Sequence, residues 1–373
     1  LLSVFMVYLN GVNRVDLAVL YYTVGFLAGQ ATSLALVLLG FGVTGYIIGS
    51  VAIPVVALAI CLARHLGLLV KLVRTPAASA LSGLRAVVPL SLSVLASQVT
   101  GYVYTWLDKF IVLGALGTRG LGVYMVALRF AGIFENVRGS LATAFTPYYG
   151  VVYGAEGLDA LGSRIRRASR ILSASLTPLL MLIAPFTIIL IPLIYGDAFR
   201  GAWSIAAVHI VYVAVMCFTV SYSGVSLILE ARRDIAVSSI IVSLASLGLE
   251  LTLVSAGLGS LGVVIGRDAA QALRFTYMYS VLYGRRGLRP DFRSWLLGVL
   301  AGSLLLAVSL AVVLTAPSLW FAGLAASLLL YTLLIRVLKL LSRKDIALLR
   351  SAIPRSFSRR FSRVLDVIEE MLT

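Results

Sequence analysis

Four arginines and one glutamine lie inside long apolar runs of this sequence, where charged and polar side chains are rare. They are Arg129, Arg138, Arg267, Gln271 and Arg274. Arg267, Gln271 and Arg274 follow one another at intervals of four and three residues, which places them on one face of a helix. Arginine suits phosphate because its planar guanidinium donates two parallel hydrogen bonds. We therefore predict that these side chains line a polar cavity that binds an anion.

The same runs contain four carboxylates, which we predict to be charge partners of the arginines or ion-coupling groups: Asp108, Glu135, Glu250 and Asp268. Two residues at a similar distance from the turn of a hairpin lie at a similar depth in the membrane. This predicts two ion pairs, Asp108 with Arg129 and Glu250 with Arg267. Glu135 and Arg138 are three residues apart on one helix, within side-chain reach. An alternative interpretation is that each pair only clamps two helices together.

The composition is that of a membrane protein. The chain has 373 residues, of which 60% are apolar and 12% charged, whereas soluble proteins have roughly 45–50% and about 25%. In a soluble chain the net charge of +16 would favour a nucleic-acid partner, but the cytoplasmic face of a membrane protein explains it without one. Cys61 and Cys217 are predicted to be buried thiols. His65 and His209 have no ligand-like spacing, so no metal site or other cofactor is expected.

Ten apolar runs are long enough to cross a bilayer, which takes roughly 20 helical residues. They cover about 17–39, 43–63, 86–114, 121–147, 169–194, 202–229, 236–256, 260–283, 294–315 and 317–337. The connections between these runs fall alternately on the two sides of the membrane. Of the 31 basic residues, 24 lie in the connections of one side, counted together with the tail. Only 2, Arg119 and Arg200, lie in the connections of the other side. This distribution predicts a multi-pass protein of the cytoplasmic membrane with both visible termini in the cytoplasm.

An internal repeat relates two predicted hairpins. LALVLLGFGVTGYIIGS (34–50) and LTLVSAGLGSLGVVIGR (251–267) agree at 8 of 17 positions at an offset of 217. Both contain GxGxxG, but a nucleotide-binding loop needs a strand–turn–helix context. The glycines are better interpreted as allowing a tight turn and close helix packing. The repeat predicts that each hairpin closes one of two equivalent six-helix lobes. Because the sequence also opens inside an apolar run, we expect four helices to be missing upstream.

Residues 107–206 resemble the polysaccharide-biosynthesis flippases, the O-antigen-translocase-like members of the MOP exporter superfamily, which also holds MATE exporters and lipid II flippases. The resemblance rests on an aspartate late in a helix, a glycine-rich turn, G-x-Y-x-x-A, T-x-P and an outer-turn Y-G: Asp108; Gly122, Tyr124 and Ala127; Thr146 and Pro147; Tyr195 and Gly196. It implies an all-α polytopic membrane fold of about ten transmembrane helices, MATE-like lobes and alternating access.

The implied domains are a remnant of the N-terminal lobe (1–63), a cytoplasmic linker (64–85), a complete six-helix C-terminal lobe (86–283), two trailing helices (294–337) and a basic amphipathic cytoplasmic tail (338–373). With the charges above, the resemblance implies a non-enzymatic flippase for a polyprenyl-diphosphate-linked oligosaccharide. Membrane lipids and glycan-assembly enzymes are its expected partners. The alternatives are a MATE-like multidrug or organic-cation antiporter, a membrane glycosyltransferase or ligase, and a structural remnant that does not transport.

Overall fold

The computed structural model describes residues 14–74 and 77–337, together with Leu2, Phe5, Met6 and Leu9. Most of these residues are helical, and none of them lies in a β-strand. The helices are α1 (Val15–Leu36), α2 (Gly42–Arg74), α3 (Ala77–Ile183), α4 (Thr187–Tyr195), α5 (Ala202–Val215), α6 (Val225–Ile228), α7 (Arg232–Leu253), α8 (Gly259–Met278), α9 (Phe292–Thr315) and α10 (Trp320–Val337). The predicted amphipathic tail, 338–373, lies outside the described residues.

The long helix α3 is three helices joined by glycine turns. Gly117 has a φ of 69° and Gly157 a φ of 82°, values that glycine reaches without a steric penalty. They divide α3 into a first arm (77–116), a second arm (118–156) and a third arm (158–183). The predicted spans 121–147 and 169–194 therefore begin in separate arms.

The protein is a multi-pass membrane protein. Five helical stretches of the described residues are long and apolar enough to cross a membrane: Val19–His65, Thr105–Tyr195, Arg232–Tyr283, Phe292–Thr315 and Pro317–Val337. The first three exceed one span because each contains glycine turns. Apolar side chains on the outer surface are exposed, for example 77% of Leu38 and 76% of Val43, which suits contact with lipid.

One predicted span is broken rather than continuous. The run 202–229 forms α5, a 3₁₀ segment (Cys217–Tyr222) and the short helix α6. The axes on either side of Met216 differ by 51°. Gly224, with a φ of 75°, packs its backbone against Thr146 of the second arm of α3. A side chain at position 224 would collide with Thr146, so this close approach requires glycine.

The predicted repeat is present in the backbone of the two hairpins. Gly40 and Gly257 have φ/ψ values of 92°/2° and 88°/6°. Gly42 and Gly259 follow at 52°/−132° and 53°/−138°. In both hairpins a π-helical turn, Val37–Phe41 or Val254–Leu258, leads into the reversal. The glycines therefore serve as turns between membrane helices and not as a phosphate loop.

The chain forms two compact units, Leu1–Leu92 and Ser93–Thr373. The first holds the α1–α2 hairpin, with a small cluster around Tyr21 and the buried thiol of Cys61. Helical backbone continues through most of the predicted linker 64–85.

The second unit has its main core between the second arm of α3, α5 and α8. Small residues such as Ala127, Ala206 and Ala214 are fully buried there and let these helices approach closely. The thiol of Cys217, buried as predicted, donates a hydrogen bond to the carbonyl of Leu172.

Candidate functional site

A cavity of about 380 Å³ in the second unit is lined by Arg138, Gln271 and Arg274. Arg138 comes from the second arm of α3, and Gln271 and Arg274 come from one face of α8. These are three of the five side chains that the sequence places in a polar cavity. No acidic side chain is among the described residues that line it. The described lining therefore carries two positive charges and no negative charge.

Arg138 is held at the cavity but is not saturated with hydrogen bonds. Its side chain is 25% exposed, and its Nε lies 3.8 Å from Oε2 of Glu135, the pair that the spacing predicts. Its Nη1 is buried and has no hydrogen-bond partner in the described part of the chain. An unpaired buried guanidinium N–H costs free energy that an anionic ligand would recover.

The broken span supplies much of the remaining wall. Thr219, Tyr222, Ser223 and Ser226 line the cavity from the 3₁₀ segment and the residues that follow it. Tyr283 packs at a tilt against Tyr222, with ring centroids 4.6 Å apart. The wall thus combines hydroxyl groups with aromatic rings, which offers both hydrogen-bonding and apolar surfaces.

A chain of polar contacts leads from the half-buried Arg138 into the core. Glu135 Oε1 lies 3.8 Å from Nε2 of His209, while Nδ1 of His209 hydrogen-bonds Asp268 at 2.9 Å. Asp268 and His209 are only 5% and 4% exposed. The imidazole therefore bridges two carboxylates, one on α3 and one on α8. The sequence indicates nothing of this role, since a single histidine in an apolar run is more often an ordinary core residue.

Asp108 is the centre of a second buried cluster. It accepts hydrogen bonds from Tyr124 Oη at 2.8 Å and from Arg267 Nη1 at 3.1 Å. Lys109 Nζ adds an ion pair at 2.9 Å. Asp108 is 1% exposed, so these three donors stabilise a carboxylate that would otherwise be costly to bury. The cluster ties the first and second arms of α3 to α8.

Two predicted ion pairs are wrong. Asp108 pairs with Arg267 and Lys109 instead of Arg129, and Arg267 pairs with Asp108 instead of Glu250. Glu250 is fully buried and accepts a hydrogen bond from Ser246 of its own helix. The predictions failed because they compared depths only within one hairpin, whereas Asp108 and Arg267 are 159 residues apart.

The structure separates the other two predicted cavity arginines from the cavity. Arg129 is exposed, and neither it nor Arg267 is among the lining residues. Sequence reasoning also missed the wall formed by the broken span. The available signal was SYSG (221–224), a polar, glycine-containing stretch inside an apolar run.

Comparisons with known proteins agree with this architecture. A family model described as "Polysaccharide biosynthesis protein" matches residues 6–204. Among solved structures, the chain is similar to the lipid II flippase MurJ in its inward closed conformation, with a TM-score of 0.64 and 13% identity. The match covers 90% of this chain and 70% of that one. No curated protein sequence matches.

Proposed function

We propose, from the premise that this chain belongs to the polysaccharide biosynthesis protein family, that it is a flippase for a lipid-linked oligosaccharide. The substrate would be an oligosaccharide joined to a polyprenyl carrier through a diphosphate. It would move from the inner to the outer leaflet of the cytoplasmic membrane, in a protein with both visible termini in the cytoplasm. The helical fold similar to MurJ supports a translocating architecture.

The observation that carries the proposal is the pair of arginines that line one cavity from two different helices. Arg138 and Arg274 can each donate two parallel hydrogen bonds to a phosphate group. A diphosphate offers two adjacent groups, one for each guanidinium. Binding would give the buried Nη1 of Arg138 the acceptor that it lacks.

The remaining wall fits the sugars that follow the diphosphate. Tyr222, Tyr283 and Phe275 line the same cavity, and aromatic faces pack on the apolar faces of sugar rings. Broken membrane helices commonly form the binding sites of transporters, because their irregular backbone faces a cavity instead of lipid. The break after α5 has this position.

We propose alternating access as the mechanism. Because both arginines belong to the second unit, that unit would rock as one lobe and expose the cavity to each leaflet in turn. Glu135 is the resting partner of Arg138 at 3.8 Å. A diphosphate would compete with this carboxylate for Arg138, which couples substrate binding to the Glu135–His209–Asp268 contacts.

The other expected functions fit this cavity less well. A MATE-like exporter of organic cations would need an acidic side chain in the wall, and the described lining contains two arginines and no acid. A glycosyltransferase or ligase would need catalytic carboxylates or a metal. The described lining of this cavity has no carboxylate.

The test is flipping of a fluorescent polyprenyl-diphosphate oligosaccharide in proteoliposomes that contain the complete protein. Arg138→Gln and Arg274→Gln should each slow flipping by about 10–100-fold, the effect of losing a hydrogen bond between charged groups. Arg129→Gln is the matched control because it removes one charge from an exposed membrane position away from the cavity. It should flip at the original rate. Equal rates in all three variants would refute the proposal.

A further inference from the structure

A second cavity, of about 560 Å³, contains four arginines. Arg166, Arg167 and Arg170 come from the third arm of α3, and Arg286 comes from the segment between α8 and α9. Two acids, Asp159 and Asp291, also line it, which leaves a net charge of +2. The proposed flippase cavity shares none of these residues.

The cavity is held in shape by hydrogen bonds on two sides. The backbone N–H of Asp291 donates to Ser169 Oγ at 2.9 Å, joining the start of α9 to the third arm of α3. Tyr222 Oη donates to the carbonyl of Leu288 at 2.9 Å, which anchors the segment that carries Arg286. One of the two acids is already engaged, since Asp291 Oδ1 caps α9 by accepting from the Ser294 N–H. The arginine side chains thus converge on a preformed space.

This cavity lies where two membrane helices begin. The third arm of α3 leads into the predicted span 169–194, and α9 is itself a membrane-span candidate that starts at Phe292, directly after Asp291. The basic residues here belong to the connections that the charge distribution assigns to the cytoplasm. The cytoplasmic leaflet is the one rich in anionic lipids.

An exposed apolar stripe runs along α9 from Phe292, the residue that follows the cavity-lining Asp291. Its members recur every four residues and are about half exposed: Phe292 (48%), Leu296 (52%), Leu300 (58%) and Leu304 (49%). Such spacing keeps them on one side of the helix. A ligand with an anionic head and apolar chains matches both features, whereas a free anion would use only the arginines.

We propose that this cavity binds the phosphate headgroup of an anionic membrane lipid, whose acyl chains lie along the stripe of α9. The bound lipid joins the third arm of α3 to the start of α9 and so stabilises the cytoplasmic end of the second unit. The site has its own lining, is linked to the flippase cavity through Tyr222, and does not rest on the proposed substrate.

The test compares two double variants of the complete purified protein that lose the same charge. Arg166→Gln/Arg286→Gln removes two lining arginines, and Arg285→Gln/Arg289→Gln removes two neighbouring exposed arginines outside the lining. Binding of phosphatidylglycerol, phosphatidylcholine and inorganic phosphate is measured by native mass spectrometry and by the shift in unfolding temperature. An exposed arginine that contacts the phosphate contributes about five-fold to binding, whereas the charge of an arginine that does not contact it is screened by solvent. The lining variant should therefore bind phosphatidylglycerol about 25-fold more weakly, while the control stays within about two-fold of the original protein.

Three results would overturn the proposal. Equal losses in both double variants would mean that only general surface charge attracts the lipid. Equal binding of phosphatidylcholine would remove the requirement for an anionic head. Inorganic phosphate that displaces the lipid at the lipid's own affinity would identify a free anion as the ligand. If the double variant does not fold, Arg166→Gln and Arg286→Gln are measured singly, with an expected loss of about five-fold each.

Discussion

The hairpins that turn at Gly40 and Gly257 have the same backbone geometry but carry different side chains on their second helices. At the repeat offset of 217, the equivalent pairs are Ser50 and Arg267, Val51 and Asp268, Pro54 and Gln271, and Ala57 and Arg274. In the second copy, Arg267 pairs with Asp108 and Asp268 with His209, while Gln271 and Arg274 face the cavity. The repeat thus provides a common architecture, and the polar chemistry belongs to one copy.

The first helices of the hairpins show the same contrast. Ser33 and Glu250 are equivalent and buried, at 4% and 0% exposure. Both lie beneath a glycine of the second helix, Gly49 or Gly266, at which the backbones come close together. Ser33 donates a hydrogen bond across the hairpin to the carbonyl of Tyr46, whereas Glu250 accepts one from Ser246 within its own helix. Close packing therefore persists although the polar partner has changed.

The largest expected effect comes from Asp268→Val, which gives the second hairpin the residue that the first hairpin has at the equivalent position, Val51. Asp268→Val leaves the buried imidazole of His209 without its 2.9 Å partner. Leaving a buried polar group without its hydrogen-bond partner costs about 1–3 kcal/mol, and more when the lost partner is a carboxylate, so the unfolding temperature in detergent should fall steeply. Asp268→Asn keeps a hydrogen-bonding group of the same size and should lose much less. Equal losses in both variants would show that His209 does not depend on this contact.

A smaller loss is expected when Arg267 becomes serine, its equivalent in the first copy. Asp108 keeps Tyr124 and Lys109, so Arg267→Ser should cost roughly 2–3 kcal/mol. A double-mutant cycle on thermal unfolding separates the possible partners of Arg267. Coupling should be larger with Asp108→Asn, whose carboxylate accepts a hydrogen bond from Arg267, than with Glu250→Gln. The reverse result would favour the Glu250–Arg267 pair that hairpin depth alone predicts.

The contrast between the copies also explains what the sequence could and could not predict. The turns were predictable because the glycine pattern GxGxxG recurs in both hairpins. The shared cavity of Arg138, Gln271 and Arg274 was accessible from helical spacing and depth. The partners of Asp108 and His209 were not, because they lie 159 and 59 residues away on other helices. Such contacts depend on how helices pack against one another, which the periodicity of a single segment does not contain.

Adding a methyl group at the close approach tests whether the architecture is truly common to both copies. A Cβ at position 49 would lie 2.6 Å from Cα of Ser33, and one at position 266 would lie 3.1 Å from Cα of Glu250. Since backbone atoms cannot move aside cheaply, Gly49→Ala and Gly266→Ala should each destabilise by roughly 1–2 kcal/mol. The unfolding temperatures of the two variants should fall by similar amounts. A loss in Gly49→Ala but not in Gly266→Ala would mean that the second hairpin is held by its charges and not by the shared packing.

The smallest effect has the opposite sign and comes from Gly248, whose equivalent in the first copy is Ala31. Gly248 lies within α7, is exposed, and has nothing within 4 Å of an added Cβ. Glycine inside a helix is less stable than alanine by about 0.5–1 kcal/mol because the unfolded chain has more conformational freedom. Gly248→Ala should therefore raise the unfolding temperature slightly and leave flipping unchanged. A decrease would mean that this face of α7 needs glycine for a contact that Ala31 tolerates in the first copy, so the two hairpins would differ in packing as well as in charge.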